Sequence, residues 1–443
     1  MPGLSEAEAR AILEKVVKLS RADTCEVSLG GGTAGNIRFA RNTVTTSGES
    51  ENMSLSIRSN FGKRSGSTTV NQFDDATLER AVRRAEELAR LAPEDPEFMP
   101  PLGPQTYAQT PGFVQATADI SPEYRAALGG TSIATAKAHD CVVAGFLDDA
   151  ARWSARLNSA GLFGYTRSTD VTFTITARTP DGLGSGWAGQ DANDVARIDG
   201  GAAARIAVEK AVASRDARAI EPGKYTVVLE PAASVELIQN LLNVDARNAD
   251  EGRSFLSKSG GGTRVGEKLM DERVTIYSDP SNPDAPAGPW VGDGRPSQRT
   301  VWIDKGTYQN LAYSRYWAEK QGKPALPGPT NFIMNGGSDS LEDLIRTTSR
   351  GLLVTRTWYI RSVDPQTLLF TGLTRDGTFY IEDGQIKYAV KNMRFNESPV
   401  IMLNNLDALG RPVRVRTDET GQPSLVPPMR IRDFNFSSLS DAV

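Results

Sequence analysis

Two stretches of this chain repeat the same succession of residue types at a nearly fixed distance. Ser5 and Ser121, Cys25 and Cys141, and Asn42 and Asn158 are each 116 residues apart. Met53 and Val171, Ile57 and Ile175, Gly66 and Gly184, and Gln72 and Gln190 are each 118 apart. Internal similarity of this kind ties both stretches to one supersecondary unit. In the first copy Ala7, Ala11, Ile12, Val16 and Leu19 recur at helical spacing. Alternating apolar positions follow at Cys25/Val27/Leu29, Ile37/Phe39 and Met53/Leu55/Ile57, which predicts an antiparallel meander broken at the glycines between them. Asp74 or Asp75 then caps a helix that puts Leu78, Ala81, Val82, Ala85, Leu88 and Ala89 on one face. The second copy reads as a helix in SPEYRAALGGTSIATAKAHD, strands at 141–147, 153–157 and 171–175, and a closing helix at about 193–213.

From residue 222 the pattern changes. Tyr225–Leu229 reads as a strand and EPAASVELIQNLLNVDAR as a helix burying Leu237, Ile238, Leu241 and Leu242. Beyond 272 short strands alternate with Pro/Gly turns, Ser340 to Asp343 forms a capping box, and Asp376-Gly377 and Asp383-Gly384 signal hairpins. The expected fold class is α+β: two repeated helix–antiparallel sheet–helix units at 1–91 and 113–220, a Pro-rich linker at 92–112, and a β-rich C-terminal domain at 221–443.

The residue inventory removes whole classes of chemistry. A single histidine, His139, and two cysteines, Cys25 and Cys141, exclude an HExxH zinc site and any Cys-based zinc site within this polypeptide. Fifty basic residues against 54 acidic ones give a net charge of -4, so direct nucleic-acid binding is not expected. No apolar run reaches the ~20 residues of a membrane-spanning helix. The acidic start MPGLSEAEAR is unlike a signal peptide, so the expected location is cytoplasmic, with no membrane contact.

Several local patterns invite functional readings. Gly30-Gly-Gly-Thr-Ala-Gly35 fits GxGxxG, but the strand-like NIRFARNTV that follows predicts a hairpin loop rather than a nucleotide-binding helix start. Gly261 to Gly266 approaches a P-loop, yet Glu267 stands where the phosphate-binding lysine belongs. His139 reads as a helix-terminal residue, and the two matching cysteines as small buried hydrophobes. Asp279, Asp284 and Asp293 could do acid–base work or bind Mg²⁺, or serve as solvated loop residues. Trp302, Tyr308, Tyr313, Tyr316 and Trp317 form an aromatic-dense segment suited to a groove, an interface or a core.

Three stretches carry a family likeness. FARNTVTTSGESENMSLSIRSNFGKRSGSTTVNQFDDATLERAVRRAEELARLAPEDP resembles the opening domain of the TldD/PmbA family. VVLEPAASVELIQNLL with EGRSFLSKSGGGTRVGEKLMDERVTIYSDP resembles the start of its C-terminal domain, and RSVDPQTLLFTGLTRDGTFYIEDGQIKYAVKNMRF its late hairpins. The resemblance implies metallopeptidase biology. TldD-type members carry HExxxH after the EP-like turn, with two His on zinc, a Glu activating water, and a later Cys completing the site. Counted from Pro231, those positions hold Gln239, Asn240 and Val244, and no Cys follows Cys141. Amides and an alkyl group cannot stand in for imidazoles and a general base. The resemblance thus implies the PmbA (TldE) branch, with no catalytic residues, metal or cofactor of its own. Such a chain would be a non-catalytic subunit of a cytoplasmic TldD-type zinc metallopeptidase complex that processes or degrades small or unfolded peptides. It would pair with a TldD-type chain or form a homodimer. The alternatives are a self-sufficient hydrolase using carboxylates or Mg²⁺, and a protein-binding modulator of DNA gyrase, the family's historical label.

Overall fold

Ser5 starts the first helix with a capping box: its hydroxyl accepts the Glu8 N–H, and the Glu8 carboxylate accepts the Ser5 N–H at 2.8 Å. The computed structural model describes residues 3–243, 245–417 and 420–440. Helix α1 (Glu6–Leu19) is followed by β1 (Thr24–Ala40), β2 (Thr43–Phe61), β3 (Arg64–Val70) and α2 (Asp75–Leu91), which Asp74 caps. Residues 92–114 contain neither helix nor strand. Next come the short α3 (Gln115–Ala118), α4 (Pro122–Ala138) capped by Ser121, β4 (Val142–Asn158), β5 (Phe163–Arg178), β6 (Ser185–Ala192) and α5 (Gly200–Ala213).

All six strands join one antiparallel sheet in the order β3-β2-β1-β4-β5-β6. The separate sheets expected for the two units are therefore one, because β1 and β4 pair along their length from Glu26↔Asn158 to Phe39↔Gly145. Each meander alone would leave its first strand with an open edge, and the pairing closes both. Cys25 and Cys141 mark the starts of these two central strands, and both are buried.

One face of the sheet is apolar and covered by helices. Val27, Leu29, Leu55 and Ile57 pack with Ala9, Leu13, Val16, Leu78 and Val82, while Phe39, Val143, Leu147, Phe173 and Ile175 pack with Ala203, Ala207 and Val208. The opposite face stays open and carries Ser28, Gly30, Gly32, Ser54, Ser56, Ser154, Thr166 and Ser168.

The Gly30–Gly35 stretch is not the expected loop; it lies inside the continuous 17-residue strand β1. Its glycines answer to close approach instead of turning. A Cβ on Gly32 would strike the Ala151 carbonyl of β4, and one on Gly35 would strike the Arg125 guanidinium of α4. The short strands expected at 141–147 and 153–157 likewise belong to the single β4.

The C-terminal part is β-rich. Strand β7 (Gly223–Leu229) pairs with Arg350–Asp364 and Met429–Leu439, and Met393–Glu397 and Leu369–Glu382 close the ring into a five-stranded barrel. A second, six-stranded sheet is built from short strands between Ile276–Ser278 and Ser424–Val426. Asp383-Gly384 turns the expected hairpin, both residues at positive φ. Asp376-Gly377 does not: it is a bulge within Leu369–Glu382, opposite the register shift at Val354/Arg356. The bulge buries Asp376, whose Oδ1 accepts from Ser185 of β6 at 2.6 Å and whose Oδ2 accepts from Arg356 at 3.0 Å, tying sheet to barrel.

Arg273 braces the barrel from outside, donating to the Asp271 carboxylate and to the carbonyls of Leu406 and Asp407. This hydrogen bond pulls the Asp271 carboxyl down to about 2 from 3.8. A carboxyl lowered on folding stabilises above its unfolded value, and that stabilisation fades as pH falls through the folded one. Asp271→Asn is therefore expected to flatten the loss of urea resistance between pH 3.8 and about 2. Identical pH slopes for the two proteins would assign the acid sensitivity elsewhere.

Candidate functional site

The region aligned with the metal motif is a helix that stops early. Pro231 occupies the first turn of α6 (Pro231–Ile238), and every residue from Ala232 to Ile238 is buried. The helix expected to run on to Arg247 instead tightens into a 3₁₀ turn, Gln239–Leu242. The Asn240 side chain explains part of the change: its Nδ2 donates to the carbonyls of Glu236 at 2.7 Å and Leu237 at 3.3 Å, competing with the helical ladder. Tyr308, fully buried, donates to the Leu241 carbonyl at 3.2 Å, and burial holds its phenol well above its ordinary pKa. Val244 lies outside the described residues.

These residues do not fit zinc. Gln239 and Asn240 offer carboxamides, and Asn240 is committed to capping helical carbonyls. Among the described residues no three His, Cys, Asp or Glu side chains are grouped so as to hold a metal ion. His139 is the exposed C-cap of α4. Cys25 is buried among apolar groups that raise its thiol to about 11, far from the thiolate a reactive cysteine needs.

The aromatic segment divides between core and surface. Trp302, Tyr308 and Trp317 are buried; Trp302 Nε1 donates to Ser278 Oγ at 3.0 Å and Trp317 Nε1 to Asp250 Oδ2 at 2.7 Å. Tyr313 is half-buried beside Lys323, and Tyr316 lines the rim of a 640 Å³ cleft with Ser28, Ser56, Arg58 and Arg156. Of the five, Tyr316 thus meets this cavity on the open sheet face. The loop acids do not converge: Asp279 faces Arg299, Asp284 pairs with Arg197, and Asp293 pairs with Arg295.

The open sheet face carries a second cleft, about 380 Å³, against the C-terminal part. Arg414 pins the two together, donating to Asp191 at 2.6 Å, Asn193 at 2.8 Å and the Asp284 carbonyl at 3.1 Å. Arg416 donates to Thr172 at 3.2 Å, and Arg152 pairs with Asp170. Burial raises the carboxyls of Asp148 and Asp170 above the ordinary range, with Arg416 and Arg152 pulling the other way. Sequence reading missed this cluster because its members come from β4, β5, β6 and residues 414–416, with no local spacing to signal them.

Three family models match in order along the chain: PmbA/TldA metallopeptidase domain 1 over 25–89, the central domain over 117–215 and the C-terminal domain over 222–438. A metalloprotease from Methanothermobacter thermautotrophicus is 26% identical over 288 residues, covering 59% of this chain and 61% of that protein. An uncharacterized protein from Methanocaldococcus jannaschii is 30% identical over 135 residues, 27% of this chain and 31% of that one. The matches thus span less than two thirds of either curated relative. Among solved structures, TldE from Thermococcus kodakarensis superposes with a TM-score of 0.83 at 19% identity, covering 97% of this chain and 99% of that one. A candidate DNA gyrase modulator from Thermotoga maritima gives 0.85 at 16% identity, covering 97% and 100%. These likenesses show a shared fold. With three domain models of one family matched in sequence from residue 25 to 438, the chain belongs to the PmbA/TldD metallopeptidase family.

Proposed function

We propose that this chain is the non-catalytic, TldE-like subunit of a cytoplasmic peptidase complex, working with a zinc-bearing TldD-type partner on small or unfolded peptides. The observation that carries the reading is the state of the metal motif: Gln239 and Asn240 stand where ligand and base belong, and Asn240 is tied into the end of α6. The open sheet face, small and polar, supports a role in holding peptide. The like element order of 6–91 and 122–213, each a helix, three strands and a helix, supports reading that half as a duplicated unit joined by 92–112, ahead of the domain at 221–443. Elemental analysis of the purified chain should find no stoichiometric zinc and no chelator-sensitive cleavage. One tightly held zinc per chain with EDTA-sensitive hydrolysis would overturn the reading. Restoring Gln239→His, Asn240→Glu and Val244→His should not create activity, because the Cys ligand and the supporting shell are missing too.

One observation favours a self-sufficient hydrolase instead: Asp170, raised by burial, lines a single cleft with Asp191. Chelator-insensitive hydrolysis abolished by Asp170→Asn would support that reading.

A further inference from the structure

The 380 Å³ cleft brings Arg152 of β4 together with Arg414 and Arg416 of the C-terminal part. Asp170 and Asp191 line it beside them, and each is paired with an arginine. Arg414 is nearly consumed by structure, with its side chain only 11% exposed. The other two keep donors toward solvent. Arg416 gives one hydrogen bond to Thr172, lies 3.7 Å from the Asp191 carboxylate and is 43% exposed, and Arg152 is 55% exposed with a single partner, Asp170. Planar guanidiniums with free donors match the two oxygens of a carboxylate.

The cleft also continues into a trough. Arg152, Thr166 and Ser168 line both it and an adjoining 340 Å³ space whose floor is Gly30, Gly31 and Gly32 of β1. A floor without side chains lets another backbone lie close, and Asn52, Ser54 and Ser154 supply polar groups along it. Resting on the peptide-handling reading above, we infer that this trough binds an extended peptide by its C-terminal carboxylate, with Arg152 and Arg416 holding the carboxylate and the glycine floor taking the preceding backbone. The arginine-bearing end sets polarity: the peptide's C-terminus faces Arg416 and its N-terminal side runs over β1.

The test uses the full chain without any partner, and a short N-terminally labelled peptide supplied as the free acid or the C-terminal amide. Fluorescence anisotropy at low salt should show the free acid binding about ten- to a hundred-fold more tightly, the range of a charged hydrogen bond. Arg152→Gln or Arg416→Gln should erase that preference, whereas Arg84→Gln, on the exposed side of α2, should keep it. Equal binding of acid and amide, or no binding of the acid at millimolar concentration, overturns the inference. So does inorganic phosphate competing as well as the peptide acid, which would mark a simple anion site. The acid–amide comparison is made on the unaltered chain, so it stands even where a variant misfolds. Because no partner, zinc or turnover is involved, a chain that prefers the acid yet leaves a TldD-type subunit unchanged would refute the subunit reading alone.

Discussion

Arg125→Ala is expected to destabilise the N-terminal half by about 3–5 kcal/mol, the cost of leaving a buried charge unpaired. Arg125 is 3% exposed and Asp149 6%, so neither can recover its hydration by a small shift. Two guanidinium nitrogens reach the Asp149 carboxylate at 2.6 and 2.9 Å, a third contact reaches Glu49 at 3.2 Å, and a fourth the Ile120 carbonyl at 3.3 Å. The arginine rises from α4 through the helix-covered face and meets β1, β2 and β4 at once, which is why Gly35 must lack a side chain. Gly130→Ala in the same helix is the control. A Cβ there meets nothing within 4 Å, so the change should be neutral or stabilising by up to about 1 kcal/mol. Urea unfolding separates the two. A loss below about 1 kcal/mol for Arg125→Ala would mean the ion pair merely balances its own desolvation and the carboxylate finds other partners.

Helix caps and alternating strands were legible in the sequence because they depend on neighbouring residues. Asp74, one of the two candidates, and Ser340 cap the helices they were expected to cap, and Asp383-Gly384 turns a hairpin. Glycines misled wherever their cause was tertiary. At Gly30–Gly35 the constraint comes from β4 and α4, more than 80 residues away, and it reads locally like a turn. Asp376-Gly377 fails likewise, because the bulge is set by partners on Ser185 and Arg356. The fusion of two meanders into one sheet depends on which edges meet, and periodicity is silent on that. The metal-motif positions could be counted along the chain, but the early end of α6 could not. The arginine cleft was invisible for the reason the barrel was: its residues meet only in three dimensions.

The second large effect concerns assembly. A subunit without metal ligands contributes to proteolysis only through contact, so a stable pair should bury roughly 2,000 Å² or more. The aromatic segment 301–317 gives little to such a surface, since Trp302, Tyr308 and Trp317 lie in the core. The barrel strand Arg350–Asp364 offers more. Tyr359 is 45% exposed and Val363 55%, Arg361 lies 4.3 Å from the Tyr359 ring centroid, and Arg375 lies 4.2 Å from that of Trp358. Tyr359 is also held at φ 58, an unusual conformation for a bulky residue, within the register shift between Trp358 and Arg361. Exposed aromatics flanked by arginine are the composition of interface hot spots. Tyr359→Ala should therefore weaken association with a TldD-type chain at least tenfold while leaving the unfolding midpoint near that of the unaltered chain. The same surface should mediate a homodimer when no partner is present.

The decisive measurement is peptide turnover by the cognate zinc-bearing subunit, titrated with this chain at fixed zinc. Turnover should climb from a low basal level, saturate at equimolar addition and vanish with chelator if one subunit supplies the metal and the other completes the complex. A flat titration, together with a chain that stays monomeric at micromolar concentration, would contradict the partner-subunit account.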